Sequence, residues 1–319
     1  MVFDVLFIVL GVYLVLKGAD WLTDGASALA RRMQMSEMMI GLTIVAAGTS
    51  APELFVSLVS ALKGTPDLAV GNVVGSNTMN SMLIVGTAAL VAPMAISRST
   101  VRKDIPFAIA ASVLLLLLSI NSHLSRLDGL LLLGGFAVFM AYTLKQVGKS
   151  DSSNTSSTTS SSSETSDTST TSPWRNVGSV LGGLAGLVVG SNVFVDHAST
   201  LAYSLGISEG VVGLTIVAGG TSLPELATSV VAARKGQSAM AIGNVIGSNV
   251  FNILMILGLT ATISPLTIEG ITTLDMAVML ISIVLVWLFS RTRYTVERWE
   301  GALLLVGYLA YLVWLIASL

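Results

Sequence analysis

One stretch occurs twice in this chain, and each copy sets a carboxylate inside an otherwise apolar segment. Residues 41–53 read GLTIVAAGTSAPE and residues 213–225 read GLTIVAGGTSLPE. A carboxylate at the centre of a bilayer costs about 3 kcal/mol even on lenient insertion scales, so an intramembrane glutamate marks a functional site. Two in matching contexts make accident a poor explanation. The bilayer itself follows from composition. Of 319 residues, 53% are hydrophobic and 11% charged, against roughly a quarter charged in soluble domains. Several apolar runs reach the roughly 20 residues that span a membrane as helix.

Hydropathy predicts an all-α membrane protein of ten transmembrane helices, at 3–29, 37–62, 68–91, 105–121 and 127–147, then 175–201, 208–233, 239–262, 274–290 and 299–318. The N-terminus has no positive region of the signal-peptide kind, so the first run reads as a membrane helix. A fixed offset of 172 superposes the halves: Gly18 on Gly190, Asp24 on Asp196, Glu53 on Glu225, Asn80 on Asn252, and GNVVGSN at 71–77 on GNVIGSN at 243–249. The chain is therefore a duplication, with repeats at 1–147 and 175–319. The linker 148–174 is expected to be disordered, since 19 of the 23 residues in 150–172 are Ser or Thr and such a tract buries too little apolar surface to fold. With the termini outside, the inner loops hold 13 of the 16 basic residues, the bias that sets orientation. Five helices per half is odd, so the second half enters the membrane inverted, and inverted repeats place a shared site at the midplane.

The repeated residues fit a hard cation. Thr49 and Glu53 are four apart on one helix face, as are Thr221 and Glu225, with Ser50 and Ser222 beside them. Ser76 and Asn80 repeat the spacing, as do Ser248 and Asn252. In a continuous helix Pro52 would strip the carbonyl of Gly48 of its partner, and Pro224 that of Gly220. Every donor is oxygen. Such a set suits sodium or calcium, with magnesium disfavoured by its reluctance to dehydrate, and does not suit zinc or copper. Two carboxylates balance one calcium or two sodiums, and a third sodium would make exchange electrogenic. Single copies of these motifs also pack membrane helices, and Ser76 and Ser248 could bond back to helix carbonyls. Asn72 and Asn244 read as structural. Asp24 and Asp196 read as helix-end charges. Lys17 reads as snorkelling or paired with Asp20, and His123 and His197 as interfacial.

The motifs Gly-Thr-Ser-x-Pro-Glu and Gly-Asn-Val-x-Gly-Ser-Asn, each present twice, resemble the α-repeats of sodium/calcium exchangers in the cation/calcium antiporter superfamily. The α-repeats fall at 36–80 and 208–252, and the resemblance, to a compact prokaryotic-type member, covers all but the linker. It implies secondary antiport of Na+ and Ca2+ by alternating access, the first and sixth helices sliding across the other eight. It also implies metal ligation by Glu53, Glu225, Thr49, Ser50, Thr221, Ser222, Asn80, Asn252, Ser76 and Ser248, with carbonyls near Ala47 and Gly219, and no cofactor. Some members carry Asp where this chain has Asn252, so both amides argue against potassium cotransport. The linker is too short for a folded regulatory domain, and the expected place is a prokaryotic cytoplasmic membrane. The alternative within transport is a proton/calcium antiporter using the same glutamates. An intramembrane enzyme is disfavoured: the repeated serines have no local base, there is no His-Glu-x-x-His motif, and zero cysteines exclude thiol chemistry. Nothing basic enough for nucleic acid is present. A passive channel fits less well than a transporter with symmetry inside one chain.

Overall fold

A computed structural model describes residues 2–150, 173–206, 216 and 218–317. The central linker, 151–172, lies outside the described residues, as do 207–215 and 217, which include the start of the second α-repeat. Apart from two antiparallel pairs of two-residue strands, the described chain is helical. Helix α1 is Val2–Arg32; α2, α3 and α4 are Glu37–Ile40, Ala46–Thr49 and Ala51–Leu62; α5, α6 and α7 are Pro66–Met79, Val85–Val91 and Ile105–Leu118; α8 is Arg126–Ser150. Then come α9 (Pro173–Ser204), α10 (Ala218–Thr221), α11 (Leu223–Arg234), α12 (Ser238–Val250), α13 (Gly258–Ile263), α14 (Thr273–Arg291) and α15 (Arg298–Ala317). Among the described residues six helical runs are long and apolar enough to cross a bilayer, and the bent pair Glu37–Thr49 with Ala51–Leu62 makes a seventh. Of the other stretches expected to cross, 68–91 and 105–121 are helical but short or interrupted, and 208–233 lies partly outside the described residues. The run expected at 105–121 begins earlier, as a π-helical turn over Thr100–Asp104, and stops at Leu118. Both edges of the expected linker are helical: α8 runs on to Ser150 and α9 starts at Pro173.

Close backbone contact sets the packing. A Cβ built on Gly11 would lie 2.8 Å from the carbonyl oxygen of Gly190, and one on Gly18 would lie 2.7 Å from that of Gly183. Contacts that run forward along α1 and backward along α9 make the two helices antiparallel. The same glycines obey the offset, Gly11 matching Gly183 and Gly18 matching Gly190, so the two contacts exchange when the halves are exchanged. The strands behave alike. Strand β1 (Met94–Ala95) pairs with β4 (Thr295–Val296), and β2 (His123–Leu124) pairs with β3 (Leu266–Thr267). Adding 172 to Met94 and subtracting it from Val296 turns the pair Met94–Val296 into Leu266–Leu124, which is the observed register. The innermost run is Ser238–Ile263: 94% of its apolar window is buried, against 22% for Val2–Arg32. It carries Asn244, Ser248 and Asn252 through the middle of the bundle.

Candidate functional site

The helix carrying each glutamate is broken one residue before its Ala-Pro or Leu-Pro pair. Ser50 leaves helical geometry (φ −82°, ψ 6°), as does Ser222 (φ −92°, ψ 5°). The first break bends the chain by 45°. The prolines therefore stand at the second position of new helices, where a missing N–H costs nothing, and not in the interior of continuous ones as the sequence reading assumed. Each glutamate is thus in the first turn of its helix, at the positive end of the helix dipole. The carbonyl of Gly220 is taken up by the hydroxyl of Ser191 on α9. The equivalent residue on α1 is Ala19, so this support exists in one half only. Nothing in a search for carboxylates could have picked out Ser191, because its role depends on how α9 packs.

Glu53 and Glu225 are both fully buried, and Glu53 feels the charge of Glu225. Each is held by the serine of the other half: Ser222 donates to Glu53 Oε1 at 3.1 Å and Ser50 to Glu225 Oε1 at 3.0 Å. Ser222 also meets Ser76, at 3.1 Å. The offset would pair Ser50 with Ser248, but Ser248 faces the Glu225 carboxylate instead. Thr49 donates to Asn244 Oδ1 at 3.1 Å, and Thr221 to Asn72 Oδ1 at 3.5 Å. These two asparagines clamp the breaks: Asn72 Nδ2 donates to the Glu53 carbonyl and to Ser57, and Asn244 Nδ2 to the Glu225 carbonyl and to Ser229. Ala47 and Gly219 sit half-buried two residues before the threonines, and a Cβ on Gly219 would meet nothing within 4 Å.

Asn80 opens a π-helical turn, Asn80–Ile84, and Asn252 lies in another, Phe251–Leu257. Such turns open the hydrogen-bond ladder and recur at functional sites. Helix α11, which carries Glu225, packs on the first of these turns, and α4, which carries Glu53, packs on the second. The amides are oriented by two residues that the sequence reading left without a role. Asn80 Nδ2 donates to Asn249 Oδ1 at 3.1 Å, and Asn252 Nδ2 to Asn77 Oδ1 at 3.0 Å. Asn249 in turn donates to Ser81 at 3.0 Å, and Asn77 to the Asn249 carbonyl at 3.2 Å. Both lie within the repeated Gly-Ser-Asn motif, so their recurrence was visible although their task was not.

With the N–H groups spent, acceptor oxygens are left over. Glu53 Oε2, Glu225 Oε2, Asn80 Oδ1, Asn252 Oδ1 and Ser248 Oγ are all buried and have no hydrogen-bond partner. A buried polar atom normally has one, and its loss costs about 1–3 kcal/mol. Two buried carboxylates without a cationic partner cost more again. A cation held by such oxygens would remove both penalties. The unpartnered atoms are carboxylate, amide and hydroxyl oxygens, a donor type that suits hard cations and not transition metals.

Known proteins resemble the chain along its whole length. The family described as sodium/calcium exchanger protein matches twice, at residues 3–145 and 176–317. A protein named putative antiporter CaxA, from Alkalimonas amylolytica, is 37% identical over 98% of both chains. The sodium/calcium exchanger MaX1 of Methanosarcina acetivorans is 35% identical over 97% of both. A structure of the sodium-calcium exchanger NCX_Mj, soaked with Na+ and Sr2+, superposes with a TM-score of 0.84 at 31% identity, covering 100% of this chain and 99% of the other. The chain belongs to the sodium/calcium exchanger protein family.

Proposed function

We propose that the protein is a secondary antiporter that exchanges Na+ for Ca2+ by alternating access. The observation that carries the reading is the set of buried oxygens without partners, two of them on carboxylates. Glu53 and Glu225 supply the charge. Asn80, Asn252, Ser248, Ser76 and the Thr49–Ser50 and Thr221–Ser222 pairs supply neutral oxygens, with carbonyls near Ala47 and Gly219. One calcium or two sodiums neutralise the carboxylates; a third sodium makes each cycle electrogenic. The proposed architecture is ten transmembrane helices in two inverted five-helix repeats, 1–147 and 175–319. Both termini are outside and the linker 148–174 is inside a prokaryotic cytoplasmic membrane. Exchanged hydrogen bonds such as Ser50–Glu225 and Ser222–Glu53 support that arrangement.

A second reading, proton/calcium antiport, uses the same two buried carboxylates as proton carriers, and the relative CaxA is named only as a putative antiporter. One experiment separates the two. Proteoliposomes at fixed pH and clamped voltage are loaded with sodium, potassium or choline, and calcium uptake is followed. Uptake that requires internal sodium supports sodium exchange; uptake indifferent to sodium but driven by an imposed pH gradient replaces it with the proton reading. In either case Glu53→Gln and Glu225→Gln should each abolish uptake while the protein stays folded, and normal uptake by either variant refutes the site.

A further inference from the structure

Away from the carboxylates, a groove of about 310 Å³ is lined by Val101, Arg102, Pro106, Trp287, Arg291 and Tyr294. It lies where the π-helical turn before α7 meets the end of α14. Its aromatic walls are fixed. Trp287 Nε1 donates to the Val101 carbonyl at 2.9 Å. Tyr294 accepts a backbone hydrogen bond from Ile96 at 2.8 Å, next to the β1–β4 pair. Arg293 and Tyr294 are both in the left-handed region, with φ of 58° and 55°, a conformation that side chains with a Cβ rarely adopt. Each aromatic ring carries an arginine: the Arg291 guanidinium carbon is 4.8 Å from the Trp287 ring centre, and that of Arg98 is 5.2 Å from the Tyr294 ring centre. Among the described residues none of Arg98, Arg102 and Arg291 is ion-paired with a carboxylate; the pairs that occur involve His197 and Lys235.

The repeat supplies an internal control. Subtracting or adding 172 maps Arg98, Arg102, Trp287, Arg291 and Tyr294 onto Gly270, Leu274, Leu115, Ser119 and Ser122. Ser122 keeps the left-handed backbone, with φ 55°, so the corner is built at both ends of the bundle. Only one end has arginines and aromatic rings, so packing does not demand them. A general excess of positive charge on the inner face would not bring guanidiniums from two separate stretches, Arg102 and Arg291, to one groove and set a third, Arg98, over its Tyr294 wall. Guanidinium forks match phosphate oxygens two at a time, and Val101, Pro106 and Trp287 offer apolar wall below them. Basic pockets between helix ends at the cytoplasmic surface take anionic lipid headgroups.

We propose that this groove binds a phosphate-bearing anion at the membrane surface, the headgroup of an anionic phospholipid, with Arg102 and Arg291 on the phosphate and Arg98 flanking it. The full-length protein in neutral-lipid nanodiscs provides the test, by native mass spectrometry and thermal unfolding. Phosphatidylglycerol should bind and raise Tm where phosphatidylcholine does not. Arg102 is exposed and forms no side-chain hydrogen bond or ion pair among the described residues, so Arg102→Gln should fold normally and weaken phosphatidylglycerol binding about tenfold; Arg98→Gln/Arg102→Gln/Arg291→Gln should abolish it. Arg126→Gln, which removes a charge at the other end, should leave it unchanged. Inorganic phosphate at millimolar concentration should neither bind nor compete; protection by it equal to the lipid's would overturn the lipid source in favour of a soluble phosphate. Binding of phosphatidylglycerol to Arg102→Gln and to the triple variant as to the parent would overturn the site.

Discussion

Replacing Asn77, which lies outside the proposed ligand set, should weaken calcium binding by a calculable amount. In the proposed site Asn252 presents Oδ1 because its Nδ2 is engaged by Asn77 Oδ1 at 3.0 Å. In Asn77→Ala that acceptor is gone. The amide then either stays, leaving a buried N–H without a partner, or turns over and points its N–H group at the cation. Restoring the ligating orientation costs what an unsatisfied buried donor costs, about 1–3 kcal/mol. Calcium affinity should fall by a factor of about 5–150, at 1.4 kcal/mol per tenfold. The decisive measurement repeats the substitution in an Asn252→Asp background. A carboxylate has an oxygen at either end and needs no orienting, so Asn77→Ala should there be neutral or favourable. The assay is calcium titration of purified protein, with thermal unfolding to confirm that each variant folds. An equal loss in both backgrounds would refute the orienting role and make Asn77 a packing residue.

Three other substitutions test neighbouring parts of the argument. Ser191→Ala removes the hydroxyl that satisfies the Gly220 carbonyl; thermal unfolding should show a loss of about 1–3 kcal/mol, and an unchanged midpoint would mean that water serves as well. Gly18→Ala puts a methyl 2.7 Å from the Gly183 carbonyl oxygen, so it should destabilise by about 1–3 kcal/mol, whereas Gly178→Ala, whose Cβ meets nothing within 4 Å, should not; equal effects would refute close α1–α9 packing. Lys235→Gln removes ion pairs to Asp20 at 3.1 Å and Asp24 at 2.9 Å. These are exposed enough to be worth less than about 1 kcal/mol, so stability should hold while exchange turnover rises; unchanged turnover would show that the pairs do not restrain α1.

What could be read in the sequence is what repeats. The two glutamates, their serines and threonines, and the second-segment asparagines recur at one offset, and the structure gathers them in hydrogen-bonded sets. Roles that depend on geometry between elements were not legible. The asparagine that clamps each break, Asn72 or Asn244, reads as structural, but that it grips the glutamate's own carbonyl depends on how α5 and α12 pack. Asn77 and Asn249 recur as visibly as Asn80 and Asn252, yet nothing along the chain says which amide faces an ion and which orients its neighbour. The setting of each proline depends on geometry for a related reason. A Pro in an apolar run reads as a kink within one helix, whereas the serine two residues before it ends one helix and lets the proline begin another. Of the two roles open to Lys17, snorkelling or pairing with Asp20 on the same helix, the second is not seen: Asp20 is paired with Lys235, 215 residues away in sequence.

Departures from the offset carry as much meaning as its successes. Two equivalent carboxylates around a shared centre cannot on their own favour one side of a membrane. A carrier held in a single conformation must therefore break its symmetry somewhere, and the breaks should join elements that move relative to one another. Three occur here. Ser191 caps a carbonyl that Ala19 cannot reach for in the other half. Ser76 is bonded to Ser222, while Ser248 faces Glu225 and not Ser50. Lys235 fastens the end of α11 to Asp20, Thr23 and Asp24 of α1, while the equivalent Lys63 and Asp196 are both exposed and, among the described residues, form no ion pair. Two of the three involve α1 or α9, the pair that packs through glycine against itself and so can shift as a unit. Among the described residues the bundle is thus ion-paired at one end and not at the other, which is what the proposed alternating access would require of either of its end states. The mirror-image state should exchange the roles of Lys235 and Lys63.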